Sequence, residues 1–404
     1  MKILFLSQRF LLPMDAGGKI RTGKILEQLT QIHDVTIISN VESPKDDPYL
    51  SEIKRLCTHF IPVAWKEIQK YSRVFFARLF AQMFSRYPVR VLNSSSQNLR
   101  AAVEREYARG EYDVAICDFV LSALEFRNMR EIPTILFQHN VESVIEQRHM
   151  EQSGNAIMKF FWWLQWKKMF LFEAKASKAF DTVIAVSEKD QENFQALYHL
   201  DNVVTIPTGV DVEYFQPNPE IAVNNSNVVF CGSLDWLPNE DAVMFFIKDI
   251  LPLLKKTLPE ITFTVVGKNP SPSLQKLVKD FPEVELTGWV DDTRPYIARS
   301  SLVLVPLRIG GGTRMKIYEA MAMGKAVIST SVGAEGLPVK DGENIILEDA
   351  PISFAEKIVT LIQNKPEREQ IGTAACRFVR ENFAWKHVAA EFANICQATL
   401  THKG

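Results

Sequence analysis

The stretch RIGGGTRMKIYEAMAMGKAVIST, residues 308–330, decides the fold. It follows the apolar strand SLVLVP (301–306), passes through Gly310, Gly311 and Gly312 into a helix starting near Thr313, and ends in a second strand, KAVIST (325–330). Strand–helix–strand units of this kind build parallel sheets covered by helices. Glycines, which lack Cβ, let the backbone come close to an anion. The unpaired N–H groups and the dipole of a helix N-terminus favour a diphosphate. Arg314 and Lys316 add formal positive charge, and an arginine can hold phosphate oxygens with two bonds at once. Glu319, within two helical turns, is placed to accept from ribose hydroxyls. A glycine turn alone would read as the cap of a surface helix with solvated charges. Three glycines, two cations and a glutamate at one strand-to-helix switch point instead to a nucleotide diphosphate.

Outward from this segment, short apolar strands alternate with longer helical patterns. The first half holds KILFLS (2–7), DVTIIS (34–39), DVAICD (113–118), PTILFQ (133–138) and DTVIAVS (181–187). The second half holds NVVFCG (227–232), ending at Gly232, then ITFTVVG (261–267), VELTG (284–288) and NIILE (344–348) beside the two strands above. Both halves read as open, doubly wound, Rossmann-like sheets of an α/β chain. PTGVDVEYFQPNP (207–219), rich in Pro and Gly and without apolar periodicity, reads as the hinge between them. The expected domains are 1–207 and 208–380, with a closing helical segment over 381–404. Two such domains facing each other across a cleft collect strand-end loops and helix N-termini in one crevice.

Composition agrees with this and excludes other classes. A chain of 404 residues is too long for one ordinary core. Hydrophobic residues at 47% and charged residues at 23% suit a soluble globular protein. A net charge of -2 gives no global basic field, so nucleic acid is not an expected partner. Five scattered cysteines without a C-x-x-C pair suit reduced thiols better than disulfides or zinc. The apolar run Ile3 to Leu6 is too short for a signal peptide and reads as a first strand. Phe160 to Phe172 is broken by Lys167 and Lys168 and falls short of the ~20 residues of a spanning helix. The expectation is a cytoplasmic protein that does not cross a membrane. The histidines show no H-x-x-x-H or H-E-x-x-H spacing, and D-x-D and G-x-G-x-x-G are absent. No metal and no tightly held cofactor is expected.

With these residues read, GGGTRMKIYEAMAMGKAVISTSVGAEGLP resembles the donor-binding motif of family 4-type retaining glycosyltransferases, the glycosyl transferases group 1 of GT-B fold. Further matches follow in order: DAGGKIR (15–21), the QHN turn (138–140), AVSEKDQENF (185–194), IPTGVDVEYFQP (206–217) and GWVDDTRPYIARSSLVLVP (288–306). The resemblance covers nearly the whole chain, strongly over 300–340 and weakly over 40–110. It implies transfer of a sugar from a nucleotide-diphosphate sugar, with retention of configuration and no bound metal, to a saccharide or lipid-linked acceptor. Such transfer would serve surface polysaccharide or glycolipid synthesis. Glu319 then matches the second glutamate of the family pair, which holds the donor ribose. Gly17 and Gly18 match the loop of the N-terminal, acceptor-side domain that closes over the diphosphate. His139 matches the histidine lining the sugar pocket. The last helix is implied to cross back onto the N-terminal domain. By its residues alone, His139 is equally a structural hydrogen-bonder or a site group, lying at a strand's carboxyl end.

Two departures stand out. The family's first glutamate, eight positions before the second, falls on Gly311. The cations usual after the first C-terminal strand are also missing, since CGSLDWLPNEDAVMFFIK has none between Gly232 and Phe246. A departing diphosphate needs positive charge, so Arg314 and Lys316 become the catalytic candidates beside His139, with Gly232, Gly311, Gly312 and Thr313 cradling the donor. The missing glutamate keeps open a non-catalytic GT-B binding subunit. A sugar-nucleotide epimerase on this fold would need acid/base residues that are not evident. Residues 66–90 carry Lys66, Lys70, Arg73, Arg78, Arg86 and Arg90 around Phe75, Phe76, Phe80 and Phe84. As a helix this segment suits peripheral contact with anionic lipid at the inner face of a membrane. FFWWLQWKKMFLF within 156–178 reads as core aromatics with a solvated cationic face.

Overall fold

The computed structural model describes residues 1–66, 72–126, 129, 131–309 and 315–403. The chain divides into two compact units, Met1–Pro207 with Val388–Gly404, and Thr208–His387.

In the first unit, β1 (Lys2–Ser7), α1 (Gly17–Leu29), β2 (Asp34–Val41) and β3 (His59–Ala64) are followed by the helices α2 (Arg73–Met83), α3 (Val89–Ser94) and α4 (Gln97–Tyr107). Then come β4 (Val114–Asp118), β5 (Thr134–Phe137), α5 (Glu142–Gln152), α6 (Ala156–Ser177), β6 (Thr182–Ala185), α7 (Glu188–Tyr198) and β7 (Val203–Thr205). The strands lie parallel in the order β3-β2-β1-β4-β5-β6-β7. Strand order reverses between β1 and β4, where Ser7 pairs with Asp118. Ligands of open α/β sheets bind at such a reversal.

The second unit repeats the plan with β8 (Asn224–Cys231), α8 (Leu237–Phe245), α9 (Leu251–Thr257), β9 (Thr262–Val266), α10 (Pro272–Val278), β10 (Val284–Gly288), α11 (Arg294–Arg299) and β11 (Ser300–Val305). It closes with α12 (Met315–Ala322), β12 (Val327–Ser329), β13 (Ile346–Leu347), α13 (Pro351–Gln363) and α14 (Lys365–Asn382). The order is β10-β9-β8-β11-β12-β13, again parallel, reversing between β8 and β11. Every residue of β11 is buried, as a central strand covered on both faces requires. A last helix, α15 (Trp385–Lys403), begins in the second unit and packs its later turns in the first, where Phe392 meets Phe137 at 5.2 Å between ring centroids.

All the strands read from the sequence form, within a few residues at their ends. Two more were not read. β3 is a half-buried edge strand interrupted by Pro62, and β7 has three residues, so neither carries an apolar pattern. AVSEKDQENF places Ser187 as the N-cap of α7, its Oγ accepting from Asp190 N at 3.1 Å.

The core reading of α6 is corrected. Its buried residues are Gln165, Met169, Glu173 and Ser177, a mainly polar stripe at four-residue spacing. Ile157, Met158, Phe160 and Trp163 are exposed. The stripe is polar because it has polar work: Gln165 Oε1 accepts from Val89 N, and Glu173 accepts from the backbone N–H groups of Glu142 and Ser143 at the start of α5. Helix α2 matches its reading more closely: Phe76 and Phe80 are exposed, as is Phe84 at its end, while Phe75 turns to the opposite side and lines a cavity, and Lys70 lies outside the described residues.

Candidate functional site

In the second unit the site forms where β8 ends. The chain leaves Cys231 through Gly232, whose N–H donates to Val266 O at 2.9 Å, and enters α8. Lys316, the second residue of α12, reaches back over this turn. Its Nζ donates to Asn239 Oδ1 at 2.7 Å and stands 4.2 Å from the centre of the Phe230 ring. Asn239 is itself held by donating through Nδ2 to Ser233 O at 2.8 Å. A Cβ on residue 232 would lie 2.7 Å from Lys316 Nζ and 2.8 Å from Asn239 Nδ2, so glycine is required for the ammonium to sit there. Lys316 therefore supplies a cation at the turn whose own sequence has none.

Glu319 follows on α12. Burial pushes its carboxyl up to about 7, opposed by the neighbouring Lys316 ammonium. The same crowding lifts the Cys231 thiol to about 12, burial first and the Glu319 charge second. A cation that donates hydrogen bonds and a carboxyl poised near neutrality thus sit together at the carboxyl end of a parallel strand. Gly310, Gly311, Gly312, Thr313 and Arg314 lie outside the described residues. Arg308, just before them, is engaged with Asp241 through two hydrogen bonds of 3.0 and 2.6 Å.

In the first unit, α1 starts at Gly17 directly after the β1 loop, and no side chain caps its first turn at Ala16. Gly18 faces Phe119, whose ring would lie 2.9 Å from an added Cβ. Phe119 takes a left-handed φ of 66° just after β4, which a bulky residue adopts only when its surroundings compel it. Its ring stacks on His139, with centroids 4.1 Å apart and planes 19° apart.

His139 is buried at 4% exposure, and both ring nitrogens are engaged. Nε2 donates to Asp118 Oδ1 at 2.8 Å, and Nδ1 accepts from Arg21 Nη1 at 3.0 Å. Thr22 Oγ1 donates to Asp118 Oδ1 at 3.2 Å, and Ser7 Oγ to Asp118 Oδ2 at 3.0 Å. Burial lowers the His139 pKa against the opposing pull of Asp118, so the ring is neutral at pH 7. Burial also lowers Arg21 to about 10, opposed by Asp190 and Asp118, which leaves it a cation. Sequence reasoning pointed to His139, Gly17 and Gly18. It did not assign Asp118, Arg21 or Thr22, although Asp118 closes a strand and Arg21 ends DAGGKIR. A polar residue closing an apolar strand at the sheet's reversal was the available signal.

Behind His139, fully buried Glu173 accepts from Gln138 Nε2 at 2.9 Å and from Tyr198 Oη at 2.7 Å, besides the two α5 amides. Burial raises Glu173 to about 7, opposed by these donors. It fixes the turn 138–143 from which His139 projects. Among the described residues there is no cluster of three His, Cys, Asp or Glu arranged to hold a metal, and no helix long and apolar enough to cross a membrane.

Comparison with known proteins follows the same division. Residues 24–214 match the family model described as Glycosyltransferase Family 4, and residues 225–364 match that described as Glycosyl transferases group 1. An uncharacterized 44.6 kDa protein in the cps region of Klebsiella pneumoniae is 23% identical over 96% of this chain and 97% of its own. A phosphatidyl-myo-inositol mannosyltransferase of Mycobacterium tuberculosis is 26% identical over 48% of this chain and 53% of its own. Among solved structures, Anabaena Alr3699/HepE in complex with UDP and glucose superposes with a TM-score of 0.62 at 17% identity, covering 98% of both chains.

Proposed function

The chain belongs to the family 4-type, group 1 glycosyltransferases of GT-B fold, and on that premise we propose that it moves a sugar from a nucleotide-diphosphate donor to a saccharide or lipid-linked acceptor with retention of configuration and without a bound metal. The observation that carries this reading is the Lys316 ammonium held over Gly232, beside Glu319, at the end of β8. The second unit takes the donor: Lys316 and Arg314 hold the diphosphate, Gly311, Gly312 and Thr313 approach it with backbone, and Glu319 accepts from ribose hydroxyls. The bond from the anomeric carbon to the diphosphate oxygen breaks with its electron pair going to that oxygen. The acceptor hydroxyl oxygen bonds to the anomeric carbon on the face the diphosphate leaves, and its proton passes to the departing diphosphate oxygen. Charge on the departing diphosphate is the largest quantity to stabilise, and Lys316, already oriented by Asn239, does so without reorganisation.

The first unit takes the acceptor. In it the neutral His139 acts through position, as part of the Asp118–Arg21–Thr22 cluster that shapes the loop between β1 and α1. The similar proteins support donor and acceptor alike, one structure being a complex with UDP and glucose and one relative a phosphatidyl-myo-inositol mannosyltransferase. The exposed Arg73, Phe76 and Phe80 of α2, with Phe84 and Arg86 just past its end, support peripheral docking on the inner face of a membrane. The test is product analysis. The anomeric configuration read by NMR is expected to equal that of the donor, with full activity in excess chelator. An inverted product removes the retaining mechanism, and activity restored only by magnesium or manganese removes metal independence.

A further inference from the structure

A cavity of 620 Å³ opens in the first unit at the carboxyl ends of β1, β2 and β3. Arg9 and Arg78 line it without an ion pair among the described residues, Arg78 donating to Leu92 O at 3.4 Å and Arg9 near enough to Glu142 to oppose, with Arg90, the burial that raises its carboxyl pKa. The remaining lining cations are paired: Lys19 with Asp15 at 3.2 Å, Lys45 with Glu42 at 3.8 Å, and Arg90 with Glu146 at 3.3 Å. Asn40, at the end of β2 and 5% exposed, lines the cavity, and its buried Oδ1 has no hydrogen-bond partner among the described residues. A buried acceptor without a donor is costly, and a ligand that reaches Asn40 would supply the donor. Cations inside a concave wall concentrate anions. Trp65 adds an aromatic surface of the kind that packs the apolar face of a sugar ring.

We propose that this cavity is the acceptor site and that the acceptor is an anionic saccharide, its oxyanion held by Arg9 and Arg78 and one of its hydroxyls donating to Asn40 Oδ1. The word acceptor rests on the glycosyl-transfer reading, whereas the anion site stands on the cavity itself. Arg78 lies on the side of α2 that faces the cavity with Phe75, Leu79 and Gln82, and the same helix exposes Phe76 and Phe80. The oxyanion then belongs either to a soluble sugar phosphate or uronate, or to the phosphate through which a sugar is joined to a lipid.

The experiment is isothermal titration of the full chain with glucose, glucose 1-phosphate, glucuronate, inorganic phosphate and a farnesyl-diphosphate-linked glucose. At least one anionic sugar is expected to bind tenfold or more tighter than glucose. The Arg9→Gln, Arg78→Gln double variant is expected to abolish that difference, and Asn40→Leu to weaken the sugars at least threefold without changing inorganic phosphate. A further tenfold gain for the farnesyl compound assigns the oxyanion to a lipid carrier, and its absence assigns it to a soluble saccharide. Equal binding of charged and uncharged sugars, no binding of any probe, or an unaffected double variant overturns the inference. UDP, GDP and ADP titrated into the same preparation report on the second unit. If a diphosphate binds and no anionic sugar does, only this inference falls; if folded wild type binds no diphosphate, the glycosyl-transfer reading falls.

Discussion

Replacing Lys316 by methionine isolates the charge on which the proposed chemistry depends. Methionine keeps an unbranched stem of similar length, so packing beside Phe230 persists while the ammonium and its donors vanish. In the unliganded protein the loss includes the bond to Asn239 Oδ1, about 1 kcal/mol. For a chain of this size that is a melting shift of about 2 °C. With donor bound the loss is a charge-assisted bond to phosphate, about 1.5–3 kcal/mol. The dissociation constant of the nucleoside diphosphate should therefore rise about tenfold to a hundredfold. A second signature accompanies it. Lys316 opposes the upward push of burial on Glu319, so its removal should carry the Glu319 titration above its present value of about 7. Isothermal titration of UDP, GDP and ADP across pH 6 to 9 measures both effects. A variant that binds every diphosphate within twofold of wild type would refute the placement of the phosphates at Lys316.

Three further outcomes are expected. Glu319 has its folded pKa raised, so its contribution to stability is present below its ordinary value of 4.5 and is lost as pH rises through about 7. Ribose hydroxyls donating to the carboxylate would lower that pKa, so diphosphate affinity should increase over the same interval. Glu319→Gln should flatten both profiles, and an unchanged affinity profile would remove the ribose contact. His139→Ala should cost about 2–4 kcal/mol of stability, because it strips a partner from buried Asp118 and opens a void against Phe119. By its residues alone His139 reads equally as a structural hydrogen-bonder or a site group. Turnover per folded molecule should still fall, and unchanged turnover would make His139 purely structural. Co-sedimentation with anionic vesicles at low salt should retain the wild type and release a variant with Arg73 and Arg86 changed to Glu, while wild type left in solution would end the membrane proposal.

The sequence carried the two sheets almost entirely, because buried parallel strands such as 301–306 are runs of apolar residues bounded by helical patterns. It carried Lys316 and Glu319 because their chemistry lies within one motif. It could not carry their neighbours. Asn239 meets Lys316 across 77 residues, and His139 meets Arg21 across 118, contacts set by sheet order rather than by local pattern. The aromatic run of α6 was misread for a related reason. Apolar residues were assumed to face inward, whereas the neighbouring helices required hydrogen-bonding groups from Gln165 and Glu173 on the buried side.

The most direct measurement of the central claim is release of nucleoside diphosphate from a panel of UDP-, GDP- and ADP-sugars by the purified chain, without acceptor and then with anionic saccharides. Slow hydrolysis of one donor, accelerated by an acceptor and reduced at least tenfold in Lys316→Met, is the result expected. A folded wild-type chain that turns over none of these donors, with or without acceptor, would contradict it and leave a binding subunit in its place.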